Sequence, residues 1–415
     1  MIARGTGWVK RTAGETLIAV LPGARIGDGV SIDTKGGPLC GEVAGVERAR
    51  VSIVPFGPVR GIAVGDRIRT DDDALRFPVG FAMLGRMVDA SGAPLDGRSP
   101  PDGVRGRVAG APAPVERQAV CAPLWTSVRT IDGLLTVGRG ARIGFFGAPG
   151  AGKTTLLEKI AAHVRADTVV IALIGERGRE AQQWGAKIDR RTTIVCATSD
   201  CSAAERVRSA AAAMAQAERL RAAGLHVVLV VDSLARYAVA LREQRVALGE
   251  PVGRGGYPPS VWSALARYLE RAGNAERGSI TLFATVLCDG ADEREPVSDA
   301  ARSLLDGHIE LSSALAAGGR FPAIDVAKST SRTMNAVVSG EHARDARTVR
   351  AAIALLAETR DARALGFEAD GADLRAALAA EPQLSAFCYG EAGAGADTLP
   401  FLRSLAGRLE TPARA

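Results

Sequence analysis

The sequence predicts an α/β protein in which a mainly parallel sheet is covered by helices on both faces. A small β-barrel precedes this core and a helical domain follows it. Three observations carry the prediction. From about Ala141, apolar runs alternate with helical stretches, the order that crossover helices impose on a parallel sheet. Ahead of them lie short β-branched runs broken by Gly and Pro, and after about Val338 the chain turns Ala- and charge-rich. Between the first apolar run and the helix after it stands Gly147-Ala-Pro-Gly-Ala-Gly-Lys-Thr154, of the form G-x-x-x-x-G-K-[ST].

Each element follows in order. Leu17–Leu21, Val51–Val54 and Gly65–Arg69 are strand candidates within Thr12 to about Arg76, and their regular spacing suggests a small barrel. A Gly- and Pro-rich connector, Ala90 to Pro114, carries turn pairs such as Ser91-Gly92 and Asp96-Gly97. The core strands are expected at Arg142–Phe146, Thr168–Ile174, Thr193–Ala197, His226–Val231 and Ser279–Leu287. Helices are expected at Thr155–Val164 and Ser202–Ala223. The resulting division is a barrel over 1–76, a nucleotide-binding domain over 77–340 with a connector over 77–140, and a helical domain over 341–415.

Composition excludes several classes. At 415 residues the chain exceeds one ordinary domain, and 47% hydrophobic residues suffice for a substantial core. No apolar run approaches the ~20 residues that span a bilayer, and Met1 to Lys10 lacks the apolar stretch of a secretion signal. A cytoplasmic location is therefore expected. Six cysteines without CxxC pairs and only four histidines argue for reduced core thiols over a zinc site or disulfides. The net charge of +6 comes from interspersed acids and bases with no long like-charge run. That pattern reads as surface charge and not as a nucleic-acid footprint.

The glycine-rich segment points to phosphate chemistry. Its glycines let the backbone curl until successive N–H groups face phosphate oxygens, and the following helix adds its positive dipole end. Gly147, Ala148, Pro149, Gly150, Ala151, Gly152, Lys153, Thr154 and Thr155 are the expected nucleotide contacts. Lys153 is placed to reach the β- and γ-phosphates and the Thr154 hydroxyl to ligate Mg²⁺. Val227–Asp232 reads as a buried strand ending in a carboxylate about 80 residues later, the form of a Mg²⁺-orienting Asp. Glu176 ends the strand after the loop helix, at the edge of a parallel sheet where ligands sit. A carboxylate there can polarise an attacking water, with Arg177 beside it; spacing alone equally suits a surface Glu–Arg pair.

These segments together resemble the type III protein-export ATPases, which drive injectisomes and flagellar export and are similar to the catalytic heads of rotary ATP synthases. The matching residues include Gly147–Thr154, Gly175-Glu-Arg-Gly-Arg-Glu180, Asp232-Ser-Leu-Ala-Arg-Tyr237, Gly249-Glu-Pro251 and Gly256-Tyr-Pro-Pro-Ser-Val261. Leu269–Gly273, Arg302–His308 and Pro322–Val326 match as well, as do Leu21–Gly27 in the barrel and Leu84–Asp89 with Pro94–Gly97 in the hinge. The resemblance runs from about residue 12 to 340 and fades beyond about 345.

It implies a RecA-like P-loop NTPase core that hydrolyses ATP with Mg²⁺. By position, Glu176 matches the general base, Arg177 its γ-phosphate neighbour, and Asp232 the metal-orienting carboxylate. Arg332 in Ser329-Thr-Ser-Arg332 matches an arginine that reaches into the next subunit's site. Phe321 stands where an aromatic packs on adenine. With base and finger in one sequence, identical copies can complete each other's sites, which implies a closed homo-oligomeric ring, a hexamer. Implied partners are export substrates and their chaperones, stator and central stalk proteins, and the inner membrane approached through those partners.

Departures from the family pattern are Ala235, Ala300, Cys201 after Asp200, and Pro149 and Ala151 within the loop. None removes a proposed catalytic group. Two other readings are a rotary F/V-type subunit and a Rho-like RNA-dependent ATPase. The second needs an aromatic-rich basic barrel, whereas residues 1–80 hold only Trp8, Phe56 and Phe77 with no interleaved basic pattern through the strands. The short lead before Trp8 favours an injectisome over a flagellar system.

Overall fold

Alternation of buried and exposed side chains closes the first part of the chain on itself. In the computed structural model, β1 (Thr6–Ala13), β2 (Thr16–Val20), β3 (Gly29–Thr34), β4 (Gly37–Glu47), β5 (Arg50–Pro55) and β6 (Arg67–Thr70) form a closed barrel. Their order around it is β1-β2-β5-β4-β3-β6. Val9, Leu17, Val30, Ile32, Val43, Ile53 and Ile68 fill the interior and are fully buried. Closure leaves no sheet edge exposed. Where β1 meets β2, a Cβ on Gly7 would lie 1.7 Å from the Val20 carbonyl oxygen, so this crossing requires glycine. The barrel starts at Thr6 and not at the expected Thr12, because β1 buries only alternate residues and shows no apolar run.

The structure describes residues 5–48, 50–102, 104–107, 110–288, 295–365, 371–389 and 397–410. The first four and last five residues of the expected domains fall outside these. Two compact units emerge: Met1–Ala111, Thr168–Leu225 and Val231–Arg271 form one, and Pro112–Asp167, His226–Val230 and Ala272–Ala415 the other.

In the first unit the strand Thr168–Glu176 pairs in parallel with Thr192–Thr198, which pairs in parallel with Arg86–Val88. All nine residues of Thr168–Glu176 are buried, which is why it reads as one continuous apolar run. The helix Ala203–Ala222 packs on these strands through buried Ala210, Ala213 and Ala217. It starts at a capping box: the Ser202 hydroxyl accepts from the Glu205 N–H, and the Glu205 carboxylate accepts from the Ser202 N–H at 2.9 Å. On its inner face, buried Gln216 donates to the Gly80 carbonyl at 3.0 Å and accepts from the Gly80 N–H at 2.6 Å.

In the second unit Arg142–Gly147 lies in parallel between Ser279–Leu287 and Gly307–Leu311. Ile324–Ser331 adds an antiparallel edge to Gly307–Leu311. Phe145 meets Phe283 edge-to-face with centroids 5.5 Å apart, anchoring the middle of this sheet. The helices Gly340–Glu358, Ala372–Tyr389 and Thr398–Glu410 pack on one another around Val349, Leu384, Phe387 and Leu402. The strand His226–Asp232 contributes its first five residues to this unit and Val231 and Asp232 to the other. Among the described residues, no helix is long and apolar enough to cross a membrane.

Candidate active site

The glycine-rich segment is a turn between the strand Arg142–Gly147 and the helix Lys153–His163. Gly150 and Gly152 adopt φ of 82° and 88°, a left-handed conformation that side chains disfavour. Ala151 is buried beneath the turn, while Pro149 is exposed and Ala148 half-buried. Lys153 Nζ donates to the Gly147 carbonyl at 2.6 Å and the Ala148 carbonyl at 2.8 Å. The ammonium is thereby fixed against the loop that carries it. Thr154 is half-buried in the first helical turn and Thr155 exposed beside it.

The same unit holds two further expected residues. Phe321 is 53% exposed, yet its ring edge lies only 3.6 Å from where a Cβ of Gly152 would stand. The absent side chain thus seats an exposed aromatic against the phosphate turn. Arg332 is exposed just past the edge strand, and its guanidinium donates to the Arg302 carbonyl at 3.4 Å. Arg302 itself pairs with Glu310 at 2.6 Å and stacks over Phe146 at 4.4 Å, so the group beneath Arg332 is held from two sides.

In the other unit Glu176 and Asp232 end the strands Thr168–Glu176 and His226–Asp232, each buried. Burial pushes the Glu176 carboxyl up, the Asp232 charge and a hydrogen bond with Glu180 push further, and it reaches about 8. Arg236 opposes this: its Nη1 sits 2.6 Å from Glu176 Oε2 and also donates to the Gly175 carbonyl at 2.5 Å. One guanidinium does not offset burial among three carboxyl groups. Arg177 is exposed and precedes the helix Gly178–Gly185, so it does not hold Glu176 in this arrangement.

Thr154 in one unit and Asp232 in the other each offer a hard oxygen donor of the kind Mg²⁺ prefers. Among the described residues no cluster of three or more His, Cys, Asp or Glu forms a metal cage. Sequence reading missed Arg236. Its motif Asp232–Tyr237 was visible, but only folding shows that the helix Leu234–Ala247 turns this side chain back onto Glu176.

Each unit thus carries one feature found in nucleoside triphosphatases: a buried carboxyl with a raised proton affinity at a strand end in one, and a lysine-bearing phosphate turn in the other. The ATP synthase alpha/beta family nucleotide-binding domain matches residues 127–331, and the beta-barrel domain of that family matches residues 9–70. A type 3 secretion system ATPase of Sinorhizobium fredii is 45% identical over 361 residues, covering 85% of this chain and 80% of its own. A flagellum-specific ATP synthase of Pseudomonas aeruginosa is 42% identical over 353 residues, covering 81% and 77%. The assembled ATPase EscN with its central stalk EscO, from the enteropathogenic E. coli type III secretion system, superimposes with a TM-score of 0.88 at 37% identity. That match covers 96% of this chain and 100% of the solved chain. The chain belongs to the type III export ATPase family, which comprises the secretion-system and flagellum-specific enzymes. It is an ATP hydrolase with a RecA-like core, an N-terminal barrel and a C-terminal helical region.

Proposed function

We propose that this enzyme energises type III protein export as a homo-hexameric ring in which neighbouring copies share each nucleotide site. The observation that carries the reading is Arg332. It is exposed, sits in the same chain as the phosphate turn and the Glu176 carboxyl, and its side chain donates only to a backbone carbonyl among the described residues. A guanidinium so presented can reach a γ-phosphate held by an adjacent copy. The oligomeric EscN assembly supports a ring by similarity.

In this reading the turn Gly147–Thr154 cradles the phosphates and Lys153 exchanges its two carbonyl partners for phosphate oxygens. Mg²⁺, held by Thr154 and oriented by Asp232, supplies charge neutralisation on the β- and γ-phosphates when bound. Glu176 orients and deprotonates the attacking water, Arg236 fixes the carboxylate, and Arg177 approaches the γ-phosphate. Phe321 covers adenine. Hydrolysis then drives release and unfolding of export substrates from their chaperones, with the protein cytoplasmic and peripheral at the inner membrane through stator and stalk partners. An injectisome role is favoured over a flagellar one, relatives of both kinds being similar at 45% and 42% identity, and mapping the neighbouring genes tests that choice.

The test is turnover against protein concentration for wild type and Arg332→Ala. Removing a trans-acting arginine finger lowers kcat about 10³–10⁵-fold while nucleotide binding persists. Full wild-type turnover by a dilute monomer overturns the shared site.

A further inference from the structure

The unit formed by the barrel and the Glu176 strands carries a half-open cavity of about 570 Å³ lined by none of the nucleotide residues named above. This is within the size range of small-molecule sites. Its wall is strongly charged: five arginines, Arg107, Arg208, Arg245, Arg267 and Arg271, line it against one carboxylate, Glu42. Arg271 is neutralised by Glu218 at 2.8 Å, Arg245 reaches Glu250 at 3.5 Å and Arg107 reaches Asp72 at 3.7 Å. Among the described residues Arg208 and Arg267 have no carboxylate within ion-pair distance.

The remainder of the wall is aromatic. Arg208 is 93% buried by its 7% exposure, and its guanidinium stacks on Phe56 at 4.2 Å and Phe77 at 4.5 Å. Tyr237 and Tyr268 pack with centroids 5.0 Å apart, both buried. Among the described residues two donors at this wall, Arg208 Nε and the Tyr268 hydroxyl, have no hydrogen-bond partner, while Arg208 Nη2 donates to the Arg76 carbonyl at 3.4 Å. Buried unsatisfied donors are rare, and an uncompensated buried cation is costly. Burial also pulls the Arg208 guanidinium down to about 10, with Cys40, Glu42 and Asp89 opposing it only in part.

We propose that this cavity is a binding site for a small organic anion with a flat aromatic body, distinct from the nucleotide site. The aromatic floor takes the ring, and Arg245 and Arg267 take the acidic group at the more accessible side.

The experiment titrates the full chain carrying Lys153→Ala, which disables the phosphate turn, with 8-anilinonaphthalene-1-sulfonate. Saturable fluorescence at one dye per chain is expected. The R245Q/R267Q pair weakens it at least tenfold with an unchanged thermal midpoint, and neutral N-phenyl-1-naphthylamine binds at least tenfold more weakly than the sulfonate. The proposal falls if binding does not saturate, if the neutral dye binds equally, or if the arginine pair has no effect. It falls equally if dye binds wild type, is displaced by Mg-ATP and is lost with Lys153→Ala, since that places the dye on the phosphate turn. Should R245Q/R267Q lower the midpoint, Tyr268→Phe in the same background decides: at least threefold weaker binding upholds the site and unchanged binding overturns it.

Discussion

The phosphate turn and the Glu176 cluster handle charge in opposite ways. The turn is built from backbone, with left-handed glycines shaping it and a lysine satisfied by the turn's own carbonyls. The Glu176 cluster is built from side chains, with Glu176 and Asp232 on strand ends and Glu180 and Arg236 on the helices that follow, so that three carboxyl groups meet one arginine. One region is settled by its own backbone, and the other favours its protonated form. In the proposed reading, binding and turnover therefore rest on separate physical devices, so substitutions should separate them.

Glu176→Gln breaks the comparison hardest. It removes the base while leaving the turn intact, and kcat should fall about 10²–10⁴-fold with nucleotide affinity nearly unchanged in equilibrium titration. Wild-type turnover would exclude Glu176 as the base.

The pH dependence sharpens it. A carboxyl raised from 4.5 to about 8 keeps its proton in the folded state after the unfolded chain has lost it. Folding therefore favours the protonated form, and that stability is complete below about 4.5 and lost as pH rises toward 8. Chemical denaturation across this window should show wild type losing stability relative to Glu176→Gln, by at most about 1.4 kcal/mol per pH unit. The kcat profile of wild type should rise over the alkaline end of the same window.

Arg236→Gln is the intermediate case. Loss of the one opposing cation raises the proton affinity of Glu176 further, moving the kcat midpoint to higher pH. A merely structural Arg236 would lower activity evenly across pH. Phe321→Ala is the mildest: loss of an aromatic contact worth about 0.5–1.5 kcal/mol should raise KM up to about tenfold and leave kcat nearly intact. Steady-state kinetics checks it, and a kcat loss with unchanged KM would place Phe321 elsewhere in the cycle.

The same division explains what could be read from the chain. The phosphate turn is legible because glycine and lysine at fixed spacing state a backbone conformation directly. The five core strands are legible because burial on both faces makes them largely apolar, with polar residues mostly at their ends. Strands that bury alternate residues are not: Gly307–Leu311 interposes His308 and Glu310, and Ile324–Ser331 is mostly polar toward its end. Arg86–Val88 hides within the connector, where Arg86 is buried only because Asp96 meets it at 2.6 Å. Arg236 lay unread for a similar reason, since a helix residue acquires its role from the strand end it faces.

Lys153 already grips two oxygens of its own chain. Under the proposed function, nucleotide arrival becomes a swap of one oxygen set for another. Spent phosphate then leaves behind a tethered ammonium, so an emptied site reloads without first rebuilding its cradle.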